Sequence, residues 1–185
     1  MAYWRVALRI LKYLDTTNHL GLTYRLGNRL TTVSAYVDAG FANGIGCQSR
    51  YGYAVFLSGC LISWASKCTT MVCLSTAEAE FIAATEAAKD VIWIRGLLQE
   101  LSLDSKVAST VYEDNQACVS MINNSAVSPR NRHFAVKMAW LRDQVSNNKI
   151  KFVFVQSKKN FADLFTKVLP EDQFRTLREK LMNGV

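Results

Sequence analysis

An α/β domain built on a five-stranded mixed sheet, three antiparallel strands and then two parallel ones with helices at its sides, is the fold class this sequence predicts. Three observations lead there. Residues 32–65 alternate apolar and polar with breaks at turn residues; a long helical pattern opens at Ser75; beyond it, strand patterns at 109–113 and 150–155 are separated by helical segments. Strands divided by helices favour parallel neighbours joined by right-handed crossovers, which sets the first, fourth and fifth strands side by side.

The elements follow in order. Residues 2–14 place Trp4, Ala7, Leu8, Leu11 and Leu14 on one helical face and Arg5, Arg9 and Lys12 elsewhere, an amphipathic helix of the kind that commonly packs on a domain. After Asp15–Thr16–Thr17–Asn18–His19 ends it, Gly21–Leu22–Thr23–Tyr24 reads as a short strand, and residues 1–30 together as a connecting arm. The main domain spans 31–170. Its first strand, 32–37, ends at Asp38, before a loop marked by Gly40, Asn43, Gly44 and Gly46. Residues 51–57, a Ser58–Gly59 turn and 61–65 form a hairpin. Ser75 with Glu78 three positions later is a capping box, so Glu78 has a structural task. From there Glu80, Ala84, Ala87, Val91, Ile94 and Leu98 make an inward stripe that begins with a carboxylate and continues to about Leu101. The fourth strand, 109–113, leads into Asp114–Asn115 and a short helix through Ile122; residues 132–146 resume helical spacing with Phe134, Met138, Leu141 and Val145. A fifth strand at 150–155 precedes a helix from Asn160 to Lys167, and residues 171–185 hold a last amphipathic helix.

Composition narrows the function. The chain of 185 residues is 50% hydrophobic, enough for one domain with a full core, and its net charge of +7 points to an anionic partner, nucleic acid first. Five cysteines without a CxxC pair argue against a disulfide framework and a zinc site, and fit a reducing compartment. No apolar run reaches the length of a membrane span, and the N-terminal residues lack the pattern of a secretion signal.

The chemistry lies in the acids. Asp38 and Asp114 stand at the ends of strands predicted to be parallel neighbours, Glu80 faces inward from the long helix, and Asp163 opens the helix after the fifth strand. Each has an ordinary use: aspartates form turns after strands, and acids favour the first turn of a helix. Their joint placement at one sheet edge favours a site. Clustered carboxylates repel unless a hard divalent cation lies between them, and Mg²⁺ takes oxygen ligands of this kind. Two such ions suit in-line displacement at phosphorus.

At this point the residues resemble the RNase H domain of copia-type retrotransposon polyproteins over nearly the whole chain. Tyr36–Val37–Asp38–Ala39, Gly52–Tyr53, Ile62–Ser63–Trp64–Ala65–Ser66–Lys67, Leu74–Ser75–Thr76–Ala77–Glu78–Ala79–Glu80–Phe81, Glu113–Asp114–Asn115–Gln116 and Ala162–Asp163–Leu164–Phe165–Thr166–Lys167 occur in family order. The arm, with Trp4, Arg9–Ile10–Leu11–Lys12–Tyr13–Leu14 and Gly21–Leu22–Thr23–Tyr24, looks like the family's junction between reverse transcriptase and RNase H. The resemblance implies an RNase H-like fold and cleavage of the RNA strand of RNA–DNA hybrids with two Mg²⁺ ions, Mn²⁺ being an alternative. Asp38, Glu80, Asp114 and Asp163 are then the catalytic and metal-binding acids: Asp38 serves both ions, Glu80 and Asp114 one, and Asp163 the other.

The resemblance also implies a hybrid duplex and the adjoining reverse transcriptase as partners, no membrane or small-molecule cofactor, and work in cytoplasmic particles. Ser66, Asn115 and Gln116 are candidate hybrid contacts. Arg130, Arg132 and His133 match a basic element at the start of the penultimate helix, read as phosphate contacts, with His133 alternatively a proton shuttle in product release, or as a solvated helix start. Lys158 and Lys159 before Asp163 allow the first and last of these readings. Departures from the family pattern are Gly40 for an acid, Phe41 for tryptophan, Gln48–Ser49–Arg50 in the loop before Tyr51, and Ala135 and Ala139 for an acid and a histidine. None removes a metal ligand. The competing reading is a nucleic-acid-binding remnant that has lost cleavage.

Overall fold

The computed structural model describes residues 2–25, 31–103, 106–123 and 135–184. Helix α1 (Ala2–Thr16) leads to β1 (Val33–Gly40), β2 (Arg50–Leu57) and β3 (Cys60–Cys68), then α2 (Thr76–Glu100), β4 (Ser109–Glu113), α3 (Gln116–Asn123), α4 (Ala135–Ser146), β5 (Ile150–Phe154), the one-turn α5 (Asp163–Thr166) and α6 (Glu171–Asn183). The sheet order is β3-β2-β1-β4-β5. Strands β1, β2 and β3 pair antiparallel, whereas β4 runs parallel to β1 and to β5. This is the mixed sheet the sequence predicts, with β1 at its centre.

Helix α2 starts as its sequence dictates. Ser75 Oγ accepts from the Glu78 N–H at 3.2 Å, and the Glu78 carboxylate accepts from the Leu74 N–H at 2.6 Å. The whole predicted stripe, Glu80, Ala84, Ala87, Val91, Ile94 and Leu98, is buried. So are Ala79, Phe81, Ile82, Ala83 and Thr85, which encloses the helix on all sides from Ala79 to Thr85. Its alanines let α2 lie close against β1 and β2 while α3 and α4 cover its flank. Burying side chains such as Phe81 and Val91, each 0% exposed, contributes roughly 1.5–3 kcal/mol apiece.

The opposite sheet face carries a second apolar group: Ala54, Phe56, Leu61, Phe161, and Leu177 and Leu181 of α6. Tyr36 joins it, edge-on to Phe161 with ring centroids 4.7 Å apart and planes at 86°. Thus α6 packs onto the sheet and completes its second layer.

Three expectations change. Residues 21–24 form no strand: the Thr23 N–H donates to the Met182 carbonyl at 2.8 Å, so the segment bonds to the end of α6 and not to a sheet edge. The helix expected from Asn160 to Lys167 is shortened to the single turn α5, Asp163–Thr166, and a 3₁₀ turn, Ser157–Lys159, precedes it. Buried Asn160 delays the start of α5, because its side chain donates to Val37 O at 2.8 Å and accepts from the Ala162 N–H at 3.1 Å, holding an extended backbone at 160. Finally, α1 keeps Trp4, Leu8, Leu11 and Leu14 between 46% and 68% exposed, and touches α6 by the edge contact of Tyr13 with Phe174. No helix among the described residues is long and apolar enough to cross a membrane.

Candidate metal centre

Parallel pairing sets Val37 opposite Glu113, so the next residue of each chain segment, Asp38 and Asp114, stands at the carboxyl edge of neighbouring strands. Chemistry gathers at this edge in such sheets. Glu80 reaches it from the first turns of α2. Ligand oxygens of Asp38, Glu80 and Asp114 lie within 4.8 Å of one another, a group able to hold a metal ion. Asp38 is 1% exposed, Glu80 7% and Asp163 3%.

Asp163 joins the group through a lysine. Lys167 Nζ lies 2.9 Å from Asp38 Oδ1, 2.7 Å from Asp163 Oδ1 and 3.9 Å from Asp114 Oδ2. The Thr166 hydroxyl donates to Asp38 Oδ2 and the Ser157 hydroxyl to Asp114 Oδ2. Burial works against the Lys167 ammonium, but its bonds to Asp163 and Asp38 prevail and raise its pKa.

Burial, and then the charges of Asp38 and Asp114, push the Glu80 carboxyl up to about 9; Lys167 and the Ala39 N–H offset part of this. Its Oε2 is buried without a hydrogen-bond partner. A buried, unpartnered acid oxygen facing two carboxylates is costly unless it carries a proton or a cation. The donor set, all hard oxygen, fits a hard divalent ion. Burial likewise raises Asp163, against the bond from Lys167.

Glu113 was not singled out by the sequence reading and belongs to the same neighbourhood. It is 0% exposed, accepts from the Asn115 N–H at 3.0 Å through Oε1, and leaves Oε2 unpartnered. Burial, followed by the Glu80 charge, holds its pKa well above the usual carboxylate range. Its signal was strand parity, since 113 shares the inward side with Ser109 and Val111.

The suggested nucleic-acid contacts divide. Ser66 is committed internally, donating to Phe165 O at 2.6 Å and accepting from Arg50 at 3.3 Å. Asn115 caps α3 by accepting from the Cys118 N–H at 3.0 Å, beside exposed Gln116. Exposed Lys158 and Lys159 follow Ser157 and line a cleft of about 800 Å³ with Tyr36, Phe161 and Lys180. Arg130, Arg132 and His133 lie outside the described residues.

Sheet order, the position of α2 and the carboxyl-edge acids define an RNase H-type domain. The N-terminal RNase H domain of Rv2228c from Mycobacterium tuberculosis superposes with a TM-score of 0.54 at 15% identity, covering 80% of this chain and 97% of that one. LC11-RNase H1, solved in complex with an RNA/DNA hybrid, gives 0.54 at 19% identity, covering 73% and 94%. No protein-family model matches the chain. The chain is 37% identical over 178 residues to the retrovirus-related Pol polyprotein of tobacco transposon TNT 1-94, covering 96% of itself and 13% of that protein. It is 31% identical over 180 residues to that of Arabidopsis thaliana transposon RE2, covering 97% and 12%, and 33% identical over 154 residues to the Ty1-DR5 Gag-Pol polyprotein of Saccharomyces cerevisiae, covering 83% and 8%. The chain belongs to the retrovirus-related Pol polyproteins of copia-type transposons. It spans a small fraction, 13% or less, of these relatives' lengths.

Proposed function

We propose that this chain is the RNase H domain of a transposon Pol polyprotein and hydrolyses the RNA strand of RNA–DNA hybrids, using Asp38, Glu80, Asp114 and Asp163 to hold two Mg²⁺ or Mn²⁺ ions. The observation that carries the reading is the trio of carboxylates, Asp38 and Glu80 buried and Asp114 partly so, with oxygens within 4.8 Å, on an RNase H fold. Divalent ions held there supply charge stabilisation for the attacking and leaving oxygens at phosphorus.

The chain's own residues do the rest. Asp38, the deepest of the trio, is oriented by the Thr166 hydroxyl, and Asp114 by that of Ser157. Glu80 must give up its proton to act as a ligand. Kinship with Pol polyproteins supports the adjoining reverse transcriptase as partner and a cytoplasmic particle as the working place; the exposed apolar side chains of α1 suit a neighbouring domain.

The test is a hybrid duplex labelled on its RNA strand, incubated with Mg²⁺, Mn²⁺ or chelator. Metal-dependent loss of the RNA, with single-stranded RNA spared, is the expected result. A folded protein that binds the hybrid and leaves the RNA intact in both metals is a binding module instead.

The proton on Glu80 adds a pH dependence. In the ion-free fold the proton stays until about pH 9, while the unfolded chain releases it near 4.5, the ordinary value for a glutamate. Across that window the unfolded state binds fewer protons, so ion-free stability falls as pH rises. Ion affinity moves the other way and rises by up to about tenfold per pH unit, because binding expels the proton. Mn²⁺ calorimetry at pH 6, 7 and 8, in buffers of different ionisation heat, reads both the affinity and the proton released. A flat affinity over that range rules out the coupling.

A further inference from the structure

We propose that Lys167 is a tethered counter-ion of the acid centre, which competes with a divalent cation for Asp38 and Asp163 and makes ion loading sequential. The inference rests on the reading of the four acids as ion ligands and deepens it.

The geometry separates the acids into two sets. Asp38, Glu80 and Asp114 bring oxygens within 4.8 Å of one another, and Asp163 is not part of that group. Asp163 Oδ1 instead faces the Lys167 ammonium at 2.7 Å, which also holds Asp38 Oδ1 at 2.9 Å. A cation between Asp38 and Asp163 would meet a like charge already seated between their Oδ1 atoms. The trio keeps an unpartnered buried oxygen, Glu80 Oε2, so a first ion has ligands to take while Lys167 stays in place.

Lys167 is also built to leave. Its backbone N–H is anchored to Asp163 O at 3.0 Å, whereas its side chain is 38% exposed. Rotation about its own side-chain bonds carries the ammonium into solvent without moving α5. Sequence order places it four residues after Asp163, directly beyond the end of α5, so its backbone stays beside the acid that its side chain neutralises. The expected behaviour is a first ion bound with Lys167 seated and a second bound only after its displacement.

The test counts bound Mn²⁺ on the full chain without nucleic acid, by the electron paramagnetic resonance of the free ion. Lys167→Met removes the charge and keeps the length; Lys167→Arg keeps the charge. In the parent and in Lys167→Arg the second ion should bind at least tenfold more weakly than the first. In Lys167→Met this gap should narrow at least tenfold, while the ion-free melting temperature falls and Mn²⁺ restores it. An unchanged gap in Lys167→Met overturns the proposal.

Should Lys167→Met not fold without ions, ¹⁵N-lysine spectra of the parent decide. The protected ammonium signal that is absent from Lys167→Arg should survive the first equivalent of Mg²⁺ and vanish with the second; loss at the first equivalent overturns the proposal. A shifted gap in a protein that never cuts hybrid sustains the role of Lys167 and removes the nuclease reading. An unchanged gap in an active nuclease does the reverse.

Discussion

Asp38→Asn keeps the fold and loses at least about 10³-fold of the metal-dependent cleavage of the hybrid's RNA strand. Asparagine matches the shape of aspartate and its one oxygen keeps one of the two bonds that Asp38 accepts, from the Thr166 hydroxyl through Oδ2 or from Lys167 through Oδ1. The amide has no net charge and is a poor ligand for a hard cation. Asp38 is the acid shared by the compact trio and by the Lys167–Asp163 pair, so its charge serves both halves of the centre. Losing about 4 kcal/mol of transition-state charge stabilisation corresponds to roughly 10³ in rate. Single-turnover cleavage at saturating Mn²⁺, beside a thermal melt, makes the comparison. Activity within tenfold of the parent would remove Asp38 from the centre.

Gly52→Val is expected to cost about 1–3 kcal/mol of stability, and to lower cleavage by more than that loss of folded protein explains. Gly52 lies opposite Asp38 in the β1–β2 register. A Cβ there would stand 2.6 Å from Phe165 Cβ and 2.9 Å from Thr166 Cγ2, so α5 must lift off the sheet. That turn carries Asp163 and Thr166, with Lys167 directly after. One added side chain on β2 therefore displaces three groups of the centre without removing any of them. Denaturant unfolding should show a lower midpoint with an unchanged slope. Gly21→Ala, with open space around the added carbon, is the neutral control. Equal stability of Gly52→Val and the parent would contradict the packing described.

Most of the acid centre was legible because its members occupy positions with local signatures. Asp38 and Asp114 follow runs of strand-forming residues, and the 3.6-residue stripe separates inward Glu80 from Glu78, whose carboxylate caps the helix. The sheet order was legible for a similar reason, since hairpin turns and helical crossovers constrain which strands meet. What escaped depends on distance in sequence. Lys167 reaches Asp38 across the whole domain, although its spacing from Asp163 was visible on one turn. Asn160 holds back the start of a helix by bonding to Val37 on the central strand, a partner no window around 160 contains. The segment 21–24 has strand-like composition, but its backbone partner is the end of α6.

The central place of β1 bears on how the molecule comes into being. Its pairing with β2 is local, whereas its pairing with β4 must close over the whole of α2, and α5 arrives only after β5. Non-local parallel pairing is slow to form because the entropy of loop closure is spent before contacts compensate it. During synthesis the hairpin side of the sheet thus precedes the acid edge, which stays incomplete until Asp163 and Lys167 have been made. A ribosome-bound chain shorter than that lacks Asp163 and Lys167, and with them the ammonium that joins Asp38 to Asp163.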